Sequence, residues 1–242
     1  MITTAAAGTH TYSAGGTYEV TVTGTITGFL FNNGGDKAKI LDVKNWSGLD
    51  FGASGLAAFY GCSNMTISAT DLPDTSSVTN VDNMFRGCSS LTSIPLLDTS
   101  LVTIFNGMFR DCSNLTTAPL FDTSSVDSAF AMFLNSGLTS VPLFDLSSAT
   151  STSSMLSGTD LISVPLFVLS SVTNGSNMFL NCTSITTIPA FDLSSLTNGT
   201  SMFQGCTSLV NVGLMDLSAM TTGISMFQGC TSLTTIVLLD LS

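Results

Sequence analysis

The dipeptide Met-Phe, or a near variant, returns at Met84, Met108, Met132, Met155, Met178, Met202 and Met226, at intervals of 24, 24, 23, 23, 24 and 24 residues. A period that short excludes most globular topologies, because a unit of two dozen residues cannot bury an apolar face alone and must stack on its neighbours. Set in register, the unit reads MFxGCxSLTxIPLFDxSSVTNxxx, after an earlier, longer unit that begins near Ala58. The last unit stops at Ser242, about two-thirds complete.

Within the unit, the spacing LxxIxL recurs as Leu91-Ile94-Leu96, Leu115-Ala118-Leu120, Leu138-Val141-Leu143, Ile185-Ile188-Ala190 and Leu209-Val212-Leu214. This is leucine-rich-repeat spacing, in which a short strand turns its apolar side chains inward and stacks in parallel on the next. The preceding segment, such as TNGSNMFLNC at 173–182, places Asn or Ser before an apolar pair with no Pro and predicts a short capped helix or helical turn. Residues 1–57 differ in kind. TYEVTVTGTI at 17–26 alternates as a half-buried strand, GFLFNNGG at 28–35 reads as a strand entering a turn, and AKILDVKNW at 38–46 as another strand. The expectation is an α/β leucine-rich-repeat solenoid of about 24 residues per coil, with short parallel strands and short helical turns. A small N-terminal β-rich capping domain at 1–57 would cover a solenoid of about eight coils at 58–242, the last incomplete.

The units MFRGCSSLTSIPLLDTS, MFRDCSNLTTAPLFDTSSV and MFLNCTSITTIPAFDLSSLTN resemble the BspA-like leucine-rich repeats of bacterial surface proteins, including mycoplasma lipoproteins, and of some phage proteins. The likeness covers about 58–242. It implies a curved solenoid exposed on a cell or particle surface, commonly in adhesion, and it carries no catalytic residues to transfer. The units at 132 and 155 depart from it by lacking Cys and being shorter, and no C-terminal cap follows the last unit.

With 44% apolar and 9% charged residues, the chain has ample core-forming material, yet no apolar run approaches the roughly 18 to 20 residues of a membrane span. MITTAAAGTHTYS has neither a basic n-region nor an apolar h-region, so it does not read as a secretion signal. Net charge is −11, and Lys37, Lys39, Lys44, Arg86 and Arg110 are the only basic residues. A C-terminal half without Lys or Arg cannot release phosphate counterions, which argues against nucleic acid and against anionic membranes as partners.

Several repeat columns have the composition of a site. All six cysteines, Cys62, Cys88, Cys112, Cys182, Cys206 and Cys230, share one column. They read as reduced, buried, small hydrophobes, with disulfides as the alternative, since no CxxC pair exists and the only histidine, His10, lies outside the repeats. The methionines before Phe could suggest Cu(I), but that column reads as packing. Asp74, Asp98, Asp122, Asp145, Asp192, Asp216 and Asp240 form a column broken by Val168. Each reads as an N-cap or Asx turn; the functional alternative is a calcium ladder on Asp98, Asp122, Asp145, Asp192 and Asp216.

After Pro95, Pro119, Pro142, Pro165 and Pro189 come two apolar columns side by side, which alternation cannot bury on one face. Either Pro ends the strand and the chain turns so that both point inward, or Leu97, Phe121, Phe144, Phe167, Phe191, Met215 and Leu239 form an exposed contact stripe. The functional expectation is a non-catalytic recognition or adhesion module on the surface of a bacterial cell or phage virion, without cofactor, binding a host or virion protein or a glycan through one solenoid face. The alternative is a structural virion, stalk or filament subunit whose copies assemble through the uncapped solenoid end.

Overall fold

The structure, a computed structural model, describes residues 14–21 and 24–238; His10, Leu239 and Asp240 lie outside the described residues. From Ser54 onward the chain winds as a solenoid. Parallel bridges Ser54–Asn80, Asn80–Ile104, Ile104–Ser128, Ser128–Ser151, Ser151–Asn174, Asn174–Asn198 and Asn198–Thr222 tie each coil to the next at one equivalent position. Regular strands are short. β5 (Thr187–Ile188), β6 (Asn211–Met215) and β7 (Thr235–Leu238) form a parallel sheet in the last coils.

Near the N-terminus, β1 (Ile26–Thr27) pairs in parallel with β3 (Leu49–Asp50), and β2 (Asp42–Val43) with β4 (Thr66–Ile67). Ile26 meets Leu49 and Asp42 meets Thr66, so residues 26–50 keep the repeat's own offset and join the solenoid as one more, irregular turn. This turn covers the first coil. The Phe31 and Asn32 N–H groups donate to the carbonyls of Ala58 and Ala57 at 2.9 and 3.2 Å, and Phe29, Trp46 and Phe51 pack their rings around Phe59. No helix among the described residues is long and apolar enough to cross a membrane.

The helical turn expected in the Met-Phe segment does not form; among the described residues the only helix is a 3-10 turn at Lys37–Lys39. In the coil around Met84, the N–H groups of Met84, Arg86 and Cys88 close turns on Val81, Asn83 and Phe85. The intervening N–H groups of Asn83, Phe85 and Gly87 instead donate at 2.8, 2.9 and 2.8 Å to Asn106, Met108 and Arg110 of the following coil. A helix would send each N–H beyond its first turn to the carbonyl four residues back in its own segment. Here alternate ones bind the neighbour, so the backbone is satisfied while two coils are joined.

That alternation requires left-handed backbone at two columns. Ala57, Asn83, Gly107, Ala131, Ser154, Asn177, Ser201 and Ser225 have φ of 53 to 59°, and Gly61, Gly87, Asp111, Asn135, Gly158, Asn181, Gly205 and Gly229 have φ of 57 to 83°. Gly and Asn take this conformation readily, whereas other residues lose roughly 1–2 kcal/mol in it. Ser201→Gly should therefore raise stability by about 0.5–1 kcal/mol, the relief exceeding the added unfolded-chain entropy. Chemical denaturation would show this as a higher midpoint with an unchanged slope.

The core is a pair of ring columns. Phe59, Phe85, Phe109 and Phe133 stack at 5.5, 5.7 and 5.4 Å, and Phe179, Phe203 and Phe227 at 5.5 and 5.3 Å. Beside them Phe121 stacks on Phe144, and Phe167 on Phe191. Leu156 occupies the ring position in the coil between, and among the described residues no ring contact joins Phe133 or Phe144 to Phe167 or Phe179. The two 23-residue intervals fall there as well. Ser136-Gly137-Leu138 and Thr159-Asp160-Leu161 are each one residue shorter than Cys112-Ser113-Asn114-Leu115. The hydroxyls of Ser136 and Thr159 donate to their own coil's Phe133 and Leu156 carbonyls at 2.8 and 2.7 Å. Buried polar Thr152, Ser153, Ser157 and Thr159 collect in this same coil.

Candidate functional site

The cysteine column is built for packing. All six thiols are free, five are buried and Cys230 is half-buried. Each of Cys88, Cys112, Cys182, Cys206 and Cys230 directs its Sγ at 3.0–3.2 Å to a main-chain carbonyl of the coil before, such as Cys112 to Phe85. Burial pushes the thiols of Cys62 and Cys112 up to about 12, and those of Cys88, Cys182, Cys206 and Cys230 upward as well. A protonated thiol in apolar surroundings is neither nucleophile nor metal ligand. Native protein should therefore react with a thiol reagent first at Cys230 and slowly elsewhere, and unfolded protein at all six; rapid native modification of Cys112 would contradict this placement.

The aspartate column forms Asx turns. Asp122 Oδ1 accepts the Ser124 N–H at 3.0 Å and the Ser124 hydroxyl at 2.7 Å, and Asp74, Asp98, Asp145 and Asp192 repeat the pattern. At Asp216 the Ser218 N–H donates at 2.9 Å. The serine hydroxyls, and then the serine N–H groups, hold the carboxyls of Asp74, Asp122, Asp145, Asp192 and Asp216 below the usual range. Asp122 and Asp216 push weakly the other way on Asp145 and Asp192. Calcium needs six or more oxygens around one point. The carboxylates of Asp98, Asp122, Asp145, Asp192 and Asp216 stand one per coil, each with an oxygen committed to its turn, and no three acidic, His or Cys side chains gather to hold an ion among the described residues.

The two apolar columns after Pro separate. Leu97, Phe121, Phe144, Phe167, Phe191 and Met215 are all buried, so they are not the exposed stripe; Leu239, the remaining member, lies outside the described residues. The physical cause is a three-residue turn. The N–H groups of Phe121, Phe144, Phe167 and Phe191 donate at 2.9–3.0 Å to the carbonyls of Pro119, Pro142, Pro165 and Pro189, closing γ-turns centred on Leu120, Leu143, Leu166 and Ala190. The chain does turn at Pro, but the turn throws its central side chain outward and swings only the next one into the core.

The outward column is therefore the one before. Leu72, Leu96, Leu120, Leu143, Leu166 and Leu214 are exposed by 44–64%, with Ala190 as the small member. This corrects the expectation that the third apolar position of LxxIxL points inward: Leu91, Leu115, Leu138, Ile185 and Leu209 are fully buried, whereas Leu96, Leu120, Leu143 and Leu214 face solvent. Asp74, Asp98, Asp122, Asp145 and Asp192 are exposed too, two residues on from the outward column. The surface is thus an apolar stripe, bordered by half-buried prolines and flanked by carboxylates. The signal that would have found it is the Pro-Leu-Phe triplet, read as a γ-turn instead of the end of a strand.

The sequence matches the family described as Mycoplasma protein of unknown function, DUF285, over residues 55–166 and 150–238. No curated protein matches it. Among solved structures, a leucine-rich repeat protein of T. pallidum is similar at 20% identity, covering 81% of this chain and 78% of that one with a TM-score of 0.39. A leucine-rich repeat protein from Bacteroides ovatus aligns at 19% identity, covering 82% and 67% with a TM-score of 0.28. A leucine rich cell surface protein from Faecalibacterium prausnitzii aligns at 15% identity, covering 76% of each chain with a TM-score of 0.27.

Proposed function

The chain belongs to the DUF285 family, whose repeats are BspA-like, and from that premise we propose that it is a non-catalytic recognition module displayed on a cell or particle surface. The observation that carries this reading is the outward leucine column, Leu72 to Leu214, running across successive coils beside a row of carboxylates. Exposed apolar side chains arranged contiguously cost solubility and mark contact surfaces. The partner that fits is a protein presenting apolar anchors with a Lys- or Arg-rich rim, since the flanking charges are negative and the chain carries −11 overall. Nucleic acid is a poor match, because no Lys or Arg follows Arg110. Two copies meeting stripe to stripe would bring their own aspartates together, which disfavours a self-paired face.

The test uses the double variant Leu120→Asp/Leu143→Asp, whose side chains are exposed and whose fold should be unaffected. Wild-type protein is expected to bind a subset of a panel of immobilised cell-surface and extracellular proteins, more weakly at high salt. The variant should lose about tenfold or more in affinity with an unchanged melting temperature. Equal binding by variant and wild type would remove the stripe from the reading. Concentration-dependent assembly in light scattering, unaffected by the variant, would favour the structural subunit joined through its solenoid end.

A further inference from the structure

The turn face of the first coils departs from the repeat in a way the core does not require. One column there reads Tyr60, Arg86, Arg110, Leu134, Ser157, Leu180, Gln204, Gln228, so the only two cations beyond Lys44 stand on adjacent coils. The column four residues earlier reads Leu56, Asp82, Asn106, Phe130 across the same coils. Between them lies a shallow cleft of about 220 Å³, lined by Asp82, Asn83, Arg86, Asn106, Arg110 and Phe130 among others. That is smaller than the roughly 300–1,000 Å³ of drug-sized sites and leaves room for one small ring.

Its polar groups are only partly used. Arg86 lies over the Tyr60 ring at 4.9 Å and reaches Asn83 Oδ1 at 3.4 Å. Asp111 Oδ2 lies 3.8 Å from Arg86 Nε and 3.4 Å from Arg110 Nε, occupying the inner edge of both guanidinium groups. The latter approach lacks hydrogen-bond geometry, and the buried Arg110 Nε has no hydrogen-bond partner among the described residues. Asn106 Oδ1 accepts the Ser128 hydroxyl and the Phe130 N–H at 2.7 and 3.0 Å, which directs the amide NH₂ the other way. Asp82 accepts from Asn83 at 2.6 Å through one oxygen. Partial burial raises its carboxyl, against the opposing pull of Asn83 and Arg86. Phe130, which also lines the cleft, is 45% exposed.

A guanidinium fork binds a carboxylate in two parallel bonds, a carboxylate and an amide pair with vicinal hydroxyls, and an exposed ring covers an apolar C–H face. A bare anion would satisfy the fork but would meet Asp82 and Phe130 without complement. We propose that this cleft binds a sugar acid, a terminal uronic- or sialic-type ring. Its carboxylate lies on Arg110 with Arg86 alongside, its hydroxyls on Asp82 and Asn106, and its C–H face on Phe130. The site is independent of the leucine stripe, being built from different columns.

The experiment is calorimetric or NMR titration of the full chain with methyl glucuronide and methyl sialoside. Methyl glucoside and a glutamate-rich peptide serve as comparators. At least one of the two acids should bind about tenfold more tightly than the neutral glucoside. Arg110→Lys keeps the charge but loses the fork, and should weaken that binding about tenfold, as should Phe130→Ala; circular dichroism reports whether each folds. Leu120→Asp/Leu143→Asp should leave it unchanged, which separates failure here from failure of the stripe. Equal binding of acid and glucoside, no effect of Arg110→Lys, or no binding of either acid would overturn the assignment. Binding of the peptide alone would replace the sugar acid by an acidic polypeptide and overturn it too.

Discussion

Phe85→Ala is expected to lower stability by about 3–5 kcal/mol, the loss seen when a large buried ring is truncated and its cavity cannot collapse. Phe85 is fully buried and stacked on both faces, at 5.5 Å from Phe59 and 5.7 Å from Phe109, nearly parallel to each. Neighbouring coils hold those rings at a spacing set by backbone bonds such as Phe85 to Met108 at 2.9 Å, so they cannot close over the gap. In a chain of this size the melting temperature should fall on the order of 10 °C. Phe227→Ala supplies the comparison. That ring is only half-buried and among the described residues has one stacked partner, Phe203 at 5.3 Å, so its loss should be less than half as large. Equal losses at the two positions would mean that stacking on two faces contributes nothing.

Gly213→Ala should cost about 3 kcal/mol, near the top of the range for overpacking. A Cβ at Gly213 would lie 2.4 Å from the Ala190 nitrogen, 2.6 Å from its Cα and 2.7 Å from the Pro189 carbonyl carbon. All three atoms are backbone, so relief requires moving a coil. Gly223→Ala makes the contrast, because the nearest atoms there are the Met220 Cε and Sδ at 2.8 and 3.1 Å, the far end of a flexible side chain. That substitution should cost under about 1 kcal/mol. Urea denaturation of both variants decides it, and the close approach at β6 is disproved if they are equally stable.

Much of the architecture was legible because stacking imposes a single rule on every unit. Met, Phe and Cys at fixed spacing must face the same core in each coil, and Met84, Phe85 and Cys88 do, all fully buried. What resisted reading was backbone conformation. The Met-Phe segment has the apolar pair and polar cap of a helix, but the demand for left-handed residues at positions such as Asn83 and Gly87 is written partly in Ala and Ser, which give no signal. The same blindness hid the candidate surface. Whether Leu120 or Phe121 faces solvent depends on one hydrogen bond, from the Phe121 N–H to Pro119, and both residues are equally apolar. Gly213 was equally opaque. It takes the place of Pro in its column, and only the winding brings it against the backbone of Pro189 and Ala190 in the coil before. Arg86 and Arg110 were visible as the last cations of the chain, but only the winding places them on one cleft with Asp82 and Phe130.

The coil around Leu156, where both ring columns break and Thr152, Ser153, Ser157 and Thr159 are buried, bears on how the molecule comes apart. In a linear stack each coil is stabilised only by those above and below it, so cooperativity extends as far as the weakest junction and no further. Met155 and Leu156 keep this junction apolar and the backbone bonds continue across it, but hydroxyl contacts such as Ser153 to Ser176 at 2.9 Å and Ser157 to the Leu180 carbonyl at 3.1 Å stand where other coils have stacked rings, so it is expected to couple its neighbours less strongly. The solenoid then behaves as two springs in series. Under pulling or partial denaturation one half is expected to open while the other holds, and the arginine cleft lies wholly within the half that begins at the N-terminal turn.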